Sequence, residues 1–376
     1  MKKITVLGAG MVGSAIIGDL SKEFDVTAVD LNIENLHKVE KKYNVKTIVA
    51  DLTSESELKT VVKDADLVIS AVPGFMGFET LRSIIYAGKN VVDISFFNQD
   101  PFQLDELAKM SDLTIVVDCG VCPGLSNIIL GYLNQRVKIE SYECYVGGLP
   151  VNKEYPFYYK APFSPVDVIE EYVRPARVKI NGNVVLKEAL SDIEIIEFDK
   201  AGTLEAFNTD GLRTLLTTVE IPNMIEKTLR YPGHAELMKT FRIAGLFSSE
   251  EVKIGANKIR PVDLTSQLLF PHWKPAPNEK EFTVLRLKII TKENSFNKEY
   301  TFDLFDEYDE KTSTSSMART TGYTCTSAAR LILNDDFSRK GICPPEFIGS
   351  EPGCYHKIVS MLGERNIRFT LAEKKL

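Results

Sequence analysis

The stretch "KKITVLGAGMVGSAIIGDL", residues 2–20, joins a short β-branched apolar run, a glycine-rich turn and a helical apolar pattern. Its glycines match the spacing G-x-G-x-x-G at Gly8, Gly10 and Gly13. A lone match to this spacing is weak, but here a strand pattern precedes the glycines and a helical pattern follows them. A second strand pattern, "FDVTAVD", ends at Asp30, 20 residues after Gly10. The stretch therefore predicts a strand–turn–helix unit that binds a dinucleotide.

Each part of this unit has a physical role in binding. The first glycine permits a tight turn, the second lets the backbone approach a pyrophosphate, and the third allows close packing of helix on strand. The helix N-terminus at Met11, Val12 and Gly13 offers N–H groups and a partial positive charge to the phosphates. Asp30 can accept hydrogen bonds from both ribose hydroxyls and would repel a 2′-phosphate, and no arginine follows it directly. We therefore expect NAD rather than NADP as the cofactor; the alternative is a glycine turn that binds none.

Strand and helix patterns continue to alternate to about residue 125. The strand patterns, such as "ADLVISAVP" and "LTIVVDCG", are near-continuous Val/Ile runs, which are typical of parallel strands buried on both faces. They predict an α/β domain of the Rossmann type. Because ligands of such sheets bind beyond the carboxyl ends of the strands, the turns near Asp93 and Asp118 are expected to face cofactor or substrate. The same rule gives further cofactor contacts at Asp51, Leu52, Ala71, Val72, Pro73 and Ser95.

A different organisation begins at about residue 126, where longer strand patterns carry hairpin signals such as Asn181-Gly182. These patterns predict an α+β domain with a mixed or antiparallel sheet and a few helices, with the proline-rich residues 270–281 as a loop. A long helical pattern from Met317 onward is expected to pack back on the first sheet. The predicted organisation is a discontinuous Rossmann domain completed by C-terminal helices, residues 1–125 and 317–376, and a second domain, residues 126–316.

Composition limits the classes of partner and compartment. Lys+Arg 45 against Asp+Glu 52 gives a net charge of −7, which argues against nucleic acid or an anionic membrane as the main partner. No stretch approaches the roughly 20 apolar residues of a membrane span. The 6 cysteines are scattered, as expected of reduced thiols, so a soluble cytoplasmic protein is expected. Cys119-x-x-Cys122 has no second cysteine pair at metal-binding spacing, and no metal site is predicted.

Three polar clusters lie in the second domain. In the first, Tyr159 and Lys160 belong to an aromatic and proline-rich stretch that is either a surface loop or a stiff loop lining a site. A desolvated Lys160 can hold a carboxylate or act as a base. In the second, Asn208-Thr209-Asp210-Gly211 predicts a turn, in which Asp210 can cap the helix that follows. Arg213 comes next and can form a bidentate pair with a carboxylate.

The third cluster is "TLRYPGHAELMKTFR", residues 228–242, where a Pro-Gly turn precedes His234 at the first residue of a predicted helix. The helix dipole disfavours an imidazolium at this end and so lowers the pKa of His234. A neutral imidazole near pH 7 is a serviceable general base. The alternative is a structural histidine that starts a helix.

Taken together, these motifs resemble the saccharopine dehydrogenase-like family. The likeness extends through nearly the whole chain, and it is greatest to the L-lysine 6-dehydrogenase (lysine ε-dehydrogenase) members. It rests on "GAGMVGSAI", "AVPGFMGF", "VVDISFF", "DCGVCPGLSN", "PFYYKAPFSPVDVIEEYVRPARV", "GTLEAFNTDGLRTLL", "TLRYPGHAELMKTFRIAGLF" and "SSMARTTGYT". Cys119 and Cys122 depart from the small residues expected at their positions.

The resemblance implies NAD-dependent oxidative deamination of the ε-amino group of L-lysine. The product would be the 6-semialdehyde, which cyclises to Δ1-piperideine-6-carboxylate, with release of ammonia. The resemblance also implies a homodimer formed through the second domain, which binds the amino-acid substrate. Two alternatives remain open: a saccharopine or carboxynorspermidine-type dehydrogenase that acts on a secondary amine, and an NAD-binding regulatory protein without turnover.

The implied chemistry assigns roles to the candidate residues. The ε-ammonium must lose a proton before oxidation, and His234 and Lys160 are the candidates for proton transfer. Asp93 is the third residue of the predicted catalytic set. The α-carboxylate needs a cation, which Arg213 or Arg242 can supply. Asp93 or Asp210 can hold the amino groups. The remaining expected substrate contacts are Tyr159, Asn208 and Thr209.

Overall fold

The computed structural model of the chain describes residues 1–276, 278–293 and 296–376. Its internal contacts divide the chain into two compact units. The first unit consists of Met1–Arg136 and Met317–Arg368, and the second of Val137–Ser316 and Phe369–Leu376.

The elements are numbered in chain order. The strands are β1 (Lys3–Leu7), β2 (Asp25–Asp30), β3 (Lys46–Val49), β4 (Leu67–Ser70), β5 (Val91–Asp93), β6 (Thr114–Val116), β7 (Lys138–Pro150), β8 (Ala176–Ile180), β9 (Asn183–Lys187), β10 (Glu194–Phe198), β11 (Gly202–Asn208), β12 (Asn223–Arg230), β13 (Val252–Ile254), β14 (Asn257–Ile259), β15 (Glu281–Glu293), β16 (Phe296–Glu307), β17 (Gly341–Cys343) and β18 (Phe369–Lys375). The α-helices are α1 (Met11–Leu20), α2 (Ile33–Tyr43), α3 (Glu55–Val62), α4 (Gly74–Tyr86), α5 (Asp105–Met110), α6 (Leu125–Asn134), α7 (Pro165–Val173), α8 (Leu215–Thr218), α9 (His234–Ile243), α10 (Pro261–Trp273), α11 (Ser316–Leu333), α12 (Pro345–Ser350) and α13 (Cys354–Glu364).

The first unit is built on a parallel sheet. Within the described residues this sheet has seven strands, in the order β17-β6-β5-β4-β1-β2-β3. Neighbouring strands are parallel throughout, and their Val and Ile side chains are buried, as a sheet covered on both faces requires. The predicted α/β Rossmann fold is confirmed. Strand β17 was not predicted, because "GIC" lacks the Val/Ile run that marks the other strands of this sheet.

The C-terminal helices are held to the glycine-rich unit by a buried ion cluster. The Asp19 carboxylate on α1 accepts hydrogen bonds from Arg330 at 2.9 Å, Arg365 at 2.8 Å and the Thr326 hydroxyl at 2.6 Å. Burial opposes ionisation of Asp19, but Arg330 and its neighbours outweigh this effect and lower the pKa of the carboxyl group. The tail therefore completes the first unit.

The boundaries of the units differ from the expected ones at two places. The first unit extends past residue 125, because α6 packs against α12; Gly131 allows this close approach, since a Cβ there would collide with the backbone of Glu346. The last strand, β18, belongs to the second unit rather than the first, because it pairs with β16.

The second unit contains a mixed sheet. Within the described residues it has nine strands, with β10-β11-β12-β7-β15-β16-β18 as its main path and the β8–β9 hairpin attached to β12. Strands β12 and β7 are parallel, whereas the other pairs are antiparallel. The predicted mixed sheet is confirmed, and the hairpin turns at Asn181-Gly182, as the sequence indicated.

Three local expectations need correction. The stretch around Lys160 that was expected as a loop contains α7, which starts at Pro165. Asp210 does not cap a helix, because α8 begins only at Leu215 and its N-cap residue is Thr214. The expected loop at 270–281 begins inside α10, which continues to Trp273; Pro277 of that stretch lies outside the described residues.

Candidate functional site

The glycine-rich turn in the first unit leaves one face open. Gly8 has a φ of +98°, and a Cβ there would collide with the carbonyl oxygen of Ala71. A Cβ on Gly13 would collide with the carbonyl oxygen of Gly8. At Gly10, in contrast, a Cβ would meet no atom within 4 Å. The turn is therefore packed tightly at Gly8 and Gly13 and is open over Gly10.

Helix α1 begins directly at this open face. Its N-cap residue is Gly10, and no side chain of the described residues caps it. The N–H groups of the first helical turn, at Met11, Val12 and Gly13, can therefore serve an anion. The side chain of Met11 is 45% exposed, whereas Gly13 is buried. This arrangement fits the pyrophosphate of a dinucleotide.

Asp30 is fixed beside the turn. As the last residue of β2 it accepts a hydrogen bond from the Ala9 N–H at 2.7 Å and from the Asn32 N–H at 2.8 Å. Asn32 in turn caps α2 with its side chain. The carboxylate is thus held in one orientation at the position where a ribose is bound in such folds, with a negative charge that opposes a 2′-phosphate.

The other predicted cofactor residues lie at the carboxyl ends of β3 and β4. Asp51 accepts hydrogen bonds from the Thr53 N–H and hydroxyl, and Leu52 packs partly buried against the core of the first unit. Val72 is buried, whereas Pro73 is exposed as the N-cap residue of α4. Because the strands are parallel, these residues share one edge of the sheet with the glycine-rich turn.

Asp93 ends β5 at the same edge and is completely buried. Its carboxylate accepts hydrogen bonds from the Ser95 hydroxyl at 2.6 Å and the Ser95 N–H at 3.2 Å. Burial raises the pKa of Asp93 to about 7; the Ser95 bonds oppose this rise and the charge of Asp118 adds to it. The carboxyl group can therefore gain or lose a proton near neutral pH.

In the second unit, His234 is the first residue of α9, as predicted, but it is buried, with 1% exposure. Its Nδ1 lies 2.8 Å from the carbonyl oxygen of Phe157 and must donate to it, so Nε2 accepts from the Tyr172 hydroxyl at 2.8 Å. Burial, and then the charge of Arg230, lower the pKa of His234 to about 3. The pKa of His234 is lowered, but by burial and the charge of Arg230 rather than by the helix dipole. Both ring nitrogens are already hydrogen-bonded within the protein.

Arg230 links Tyr172, the hydrogen-bond partner of His234, to Tyr159. It ends β12 and is buried; its guanidinium donates to Glu171 at 2.9 Å, to the Tyr159 hydroxyl at 3.3 Å and to the Tyr172 hydroxyl at 3.4 Å. The guanidinium also lies 4.4 Å from the centre of the Tyr159 ring. Burial raises the pKa of Glu171 against the opposing effect of Arg230.

The Asn208–Gly211 turn is held by Glu226 on β12. The Glu226 carboxylate accepts hydrogen bonds from the Thr209 hydroxyl at 2.6 Å and the Gly211 N–H at 3.1 Å. A side chain at position 211 would collide with this carboxylate. Burial raises the pKa of Glu226 to about 8; the Thr209 bond opposes the rise, and Glu171 adds to it.

The remaining residues of the turn are also bonded within the protein. Asp210 forms a bidentate pair with Arg177, both bonds being 2.8 Å long, and Asn208 donates to Ser191 and Asp192. Arg213 is buried with a φ of +49°, and its charge lowers the pKa of Arg174, second in effect only to burial. We call the following residues the polar network: His234, Tyr172, Tyr159, Arg230, Glu171, Glu226 and the turn 208–211.

Lys160 and Arg242, two predicted site residues, make their charged contacts outside the polar network. The Lys160 ammonium donates to the carbonyl oxygen of His272 and pairs with Glu154, both at 3.0 Å. Arg242 donates to the carbonyl oxygen of Ala189 at 2.7 Å and pairs with Glu188 at 3.3 Å, at an open surface depression. The structure therefore brings Tyr159, Asn208, Thr209, Asp210 and His234 into the polar network, but not these two charges. Arg213 is buried nearby in the chain and acts on Arg174.

Glu226 is a buried residue of this network that was not among the predicted site residues. Glu226, Thr228 and Arg230 alternate along β12, so their side chains share one face of the strand. The period of two in "NMIEKTLR" is the sequence signal that points to these three side chains. Glu171 and Tyr172 lie on α7, in a stretch whose prolines and aromatic residues indicate a loop, so no helical pattern pointed to them.

Among residues 1–276, 278–293 and 296–376, no helix is long and apolar enough to cross a bilayer. Within the same ranges, no group of three or more His, Cys, Asp or Glu side chains is placed to hold a metal ion.

Two family models match the chain, and together they cover nearly all of it. The saccharopine dehydrogenase NADP binding domain matches residues 4–116, and the saccharopine dehydrogenase C-terminal domain matches residues 120–367. The chain belongs to the saccharopine dehydrogenase family. Membership implies an oxidoreductase with an NAD(P)-binding domain.

Curated members of the saccharopine dehydrogenase family are similar to the chain at modest identity. The mouse mitochondrial alpha-aminoadipic semialdehyde synthase is 26% identical over 66% of this chain and 29% of that protein. The saccharopine dehydrogenase [NADP(+), L-glutamate-forming] of Saccharomyces cerevisiae is 25% identical over 69% of this chain and 61% of that protein. The chain thus matches less than a third of the first relative and about three-fifths of the second.

Solved structures support the fold. Apo saccharopine dehydrogenase (L-Glu forming) from Saccharomyces cerevisiae superposes with a TM-score of 0.81 at 20% identity, covering 100% of both chains. Homospermidine synthase from Legionella pneumophila, in complex with NAD, superposes with a TM-score of 0.69 at 12% identity, covering 99% of this chain and 91% of that one.

Proposed function

We propose that the chain is an NAD-dependent L-lysine 6-dehydrogenase. It oxidises the ε-amino group of L-lysine to the 6-semialdehyde, which cyclises to Δ1-piperideine-6-carboxylate, and releases ammonia. The cofactor half of the proposal is carried by one observation. Asp30 is fixed by the Ala9 and Asn32 N–H groups beside a glycine-rich turn that is open over Gly10. A nicotinamide dinucleotide, when bound, supplies the hydride acceptor.

The choice of lysine rests on the resemblance and on the charges of the polar network. Three arginines of the second unit already have carboxylate partners: Arg177 pairs with Asp210, Arg230 with Glu171, and Arg174 with Glu170. Saccharopine carries three carboxylates and needs several cations, whereas lysine carries one carboxylate and two ammonium groups. Because these three arginines already pair with carboxylates of the protein, the second unit favours a substrate with fewer carboxylates and more ammonium groups, which is L-lysine.

In this proposal the two units have different tasks. The first unit binds the dinucleotide through the α1 N-terminus and Asp30, and Asp93 is its group for proton transfer, since its pKa of about 7 lies near the working pH. In the second unit, Arg213 remains the candidate for the α-carboxylate, held by a buried and strained backbone. His234 is a positioning residue for Tyr172 and, through it, for Arg230.

A saccharopine-type dehydrogenase, acting on a secondary amine, is the second candidate. The similarity to the yeast saccharopine dehydrogenase [NADP(+), L-glutamate-forming] favours it. The two candidates differ in cofactor as well as substrate, so one set of assays separates them.

The test is an NADH assay with ammonia measured in parallel. The purified chain is given NAD or NADP with L-lysine or saccharopine. The proposal expects NADH and ammonia in equal amounts from L-lysine and NAD. NADPH formed from saccharopine without ammonia supports the second candidate, and no reduction with any amine supports an NAD-binding regulatory protein. Assembly is a separate proposal: the resemblance supports a homodimer formed by the second unit, which light scattering would test.

A further inference from the structure

A surface depression in the second unit lies at the ends of helices α7 and α9. Its volume is about 500 Å³, and it is lined by the end of α7, the residues that follow β9 and the last turns of α9. Small-molecule sites have volumes of this order. Val173 in its wall directly follows Tyr172, the hydrogen-bond partner of His234. The depression is therefore formed by two helices that also hold the polar network, but by residues outside that network.

Part of the lining is apolar. Val173 ends α7, Pro175 follows it, and Ile243 is the last residue of α9. Ile243 is 75% exposed, so water rather than protein covers most of its side chain. Such surface is stabilised when a hydrocarbon group displaces the water from it. This part of the lining therefore suits the apolar part of a ligand.

Two cations line the same depression. Lys239 and Arg242 are three residues apart on α9, so their side chains lie on one face of the helix. The charged neighbour of the Lys239 ammonium is Glu236 at 3.9 Å, a separation too long for a hydrogen bond. In the described part of the chain this ammonium makes no hydrogen bond, and all three of its N–H groups can serve a ligand.

The Arg242 guanidinium is held in place and already binds a carboxylate. It donates to the carbonyl oxygen of Ala189 at 2.7 Å and to the Glu188 carboxylate at 3.3 Å. The Arg242 side chain is 21% exposed, whereas that of Glu188 is 80% exposed. An ion pair with so exposed a partner is weak, so the carboxylate of a ligand can replace that of Glu188. Glu188 thus shows which chemical group this arginine accepts.

We propose that the depression is a binding site for a small carboxylate that carries an apolar ring or chain. The ligand's carboxylate replaces that of Glu188 on Arg242 and accepts a further hydrogen bond from Lys239. Its apolar part contacts Val173 and Ile243. Such a ligand touches both helices that hold the polar network. The site goes beyond the proposed function and does not depend on it.

The test measures the binding of cyclohexanecarboxylate, which combines a carboxylate with an apolar ring. Ligand-observed NMR titrations of the full chain compare it with acetate, which lacks the ring, and with cyclohexylmethanol, which lacks the charge. We expect cyclohexanecarboxylate to bind at least about tenfold more tightly than either, because only it uses both the cations and the apolar lining. No binding of cyclohexanecarboxylate, or an equal affinity for either companion, overturns the proposal.

Two variants locate the binding in the depression. Arg242→Gln should weaken cyclohexanecarboxylate binding roughly tenfold, because the charge-assisted hydrogen bonds are lost. Glu188→Gln should strengthen it about threefold, because the carboxylate that competes for Arg242 is removed. If the Arg242–Glu188 pair had only a structural role, the second variant would bring no gain in affinity.

Arg260→Gln is the matched control. Arg260 belongs to the same unit and pairs with Asp263 at 2.7 Å, but it does not line the depression, so its replacement should leave the affinity unchanged. An affinity that is unchanged in Arg242→Gln places the ligand elsewhere and overturns the proposal. If circular dichroism shows that Arg242→Gln does not fold, Glu188→Gln decides, and the absence of a gain in affinity then overturns it.

Discussion

Helices α1 and α9 both begin after a glycine, and their first turns are used in opposite ways. At the start of α1, no side chain of the described residues caps the N–H groups, and the space over Gly10 is open. At the start of α9, the Glu205 carboxylate accepts hydrogen bonds from the N–H groups of Gly233 and Ala235 at 2.8 and 2.5 Å. One helix start is left for a ligand, and the other is closed by the protein's own acid.

The difference shows why a helix start alone does not identify a site. The N–H groups of a first turn attract a negative group wherever it comes from. Glu205 lies on β11, far from α9 in sequence, and only the pairing of β11 with β12 brings it to that helix. The sequence around His234 therefore resembled a functional helix start, although its donors were already satisfied.

Among the variants that test the difference between these two helix starts, Gly10→Ala is expected to have the largest effect. A Cβ at Gly10 meets no protein atom within 4 Å, so the fold should tolerate it, but the methyl group enters the space that a pyrophosphate needs. We expect NAD affinity, measured by calorimetry, to fall roughly a hundredfold with little change in the thermal midpoint. The control is Gly233→Ala at the start of α9, where φ is +97°; it should cost about 1 kcal/mol of stability without affecting NAD. Equal NAD affinity in both variants would contradict an open dinucleotide site.

The next effect is expected at the closed helix start. Glu205→Ala leaves the Gly233 and Ala235 N–H groups without their acceptor and should lower the free energy of unfolding by about 1–2 kcal/mol. Urea denaturation measures this loss, and Glu205→Gln, which keeps an acceptor oxygen, should restore part of it. NAD affinity should stay unchanged. A loss of NAD affinity without loss of stability would mean that Glu205 serves a ligand rather than the helix.

A smaller effect on the open site is expected from Asp30→Ala. The variant removes the carboxylate that is held by the Ala9 and Asn32 N–H groups. The ratio of NAD to NADP affinity should fall about tenfold, because the acceptor for the ribose hydroxyls and the repulsion of a 2′-phosphate disappear together. Asp51→Ala, at the end of β3, is a comparison at the same edge of the sheet and should change the ratio less. An unchanged ratio in Asp30→Ala would exclude Asp30 from cofactor selection.

The last effect concerns His234, and it appears only as the pH falls below neutral. Its pKa is about 3 in the folded protein against 6.5 for an ordinary histidine, so between these values the unfolded chain binds more protons. Stability from this group is therefore complete above about pH 6.5 and is lost as the pH falls toward 3, by at most about 1.4 kcal/mol per pH unit. Denaturation of His234→Gln across this range should show a shallower slope than the unmodified protein. An identical slope would show that the imidazole is not held neutral.

Sequence patterns predicted the first unit well, because its signals are local. The glycine spacing, the Val/Ile runs and Asp30 at the end of β2 each depend on residues that are close in the chain. The mixed sheet of the second unit was also predictable from its long strand patterns. The boundaries were not, because the packing of α6 on α12 and the pairing of β18 with β16 join distant parts of the chain.

The polar network was predicted only in part for the same reason. Thr209 and His234 were singled out by local turn and helix signals, but the groups that fix them, Glu226 and Tyr172, come from other elements. The charge of Lys160 made it a candidate, but the His272 carbonyl oxygen that accepts its hydrogen bond lies 112 residues away. Residue type suggested the chemistry, whereas hydrogen-bond partners decided which side chains could perform it.

The central claim is that the ε-nitrogen of L-lysine is removed with reduction of NAD. The most direct test supplies L-lysine carrying a heavy-nitrogen label only at the ε position, together with NAD, and follows NADH by absorbance and ammonium by mass spectrometry. The account predicts labelled ammonium and NADH in equal amounts. Unlabelled ammonium, NADH without ammonium, or no NADH from L-lysine would contradict it.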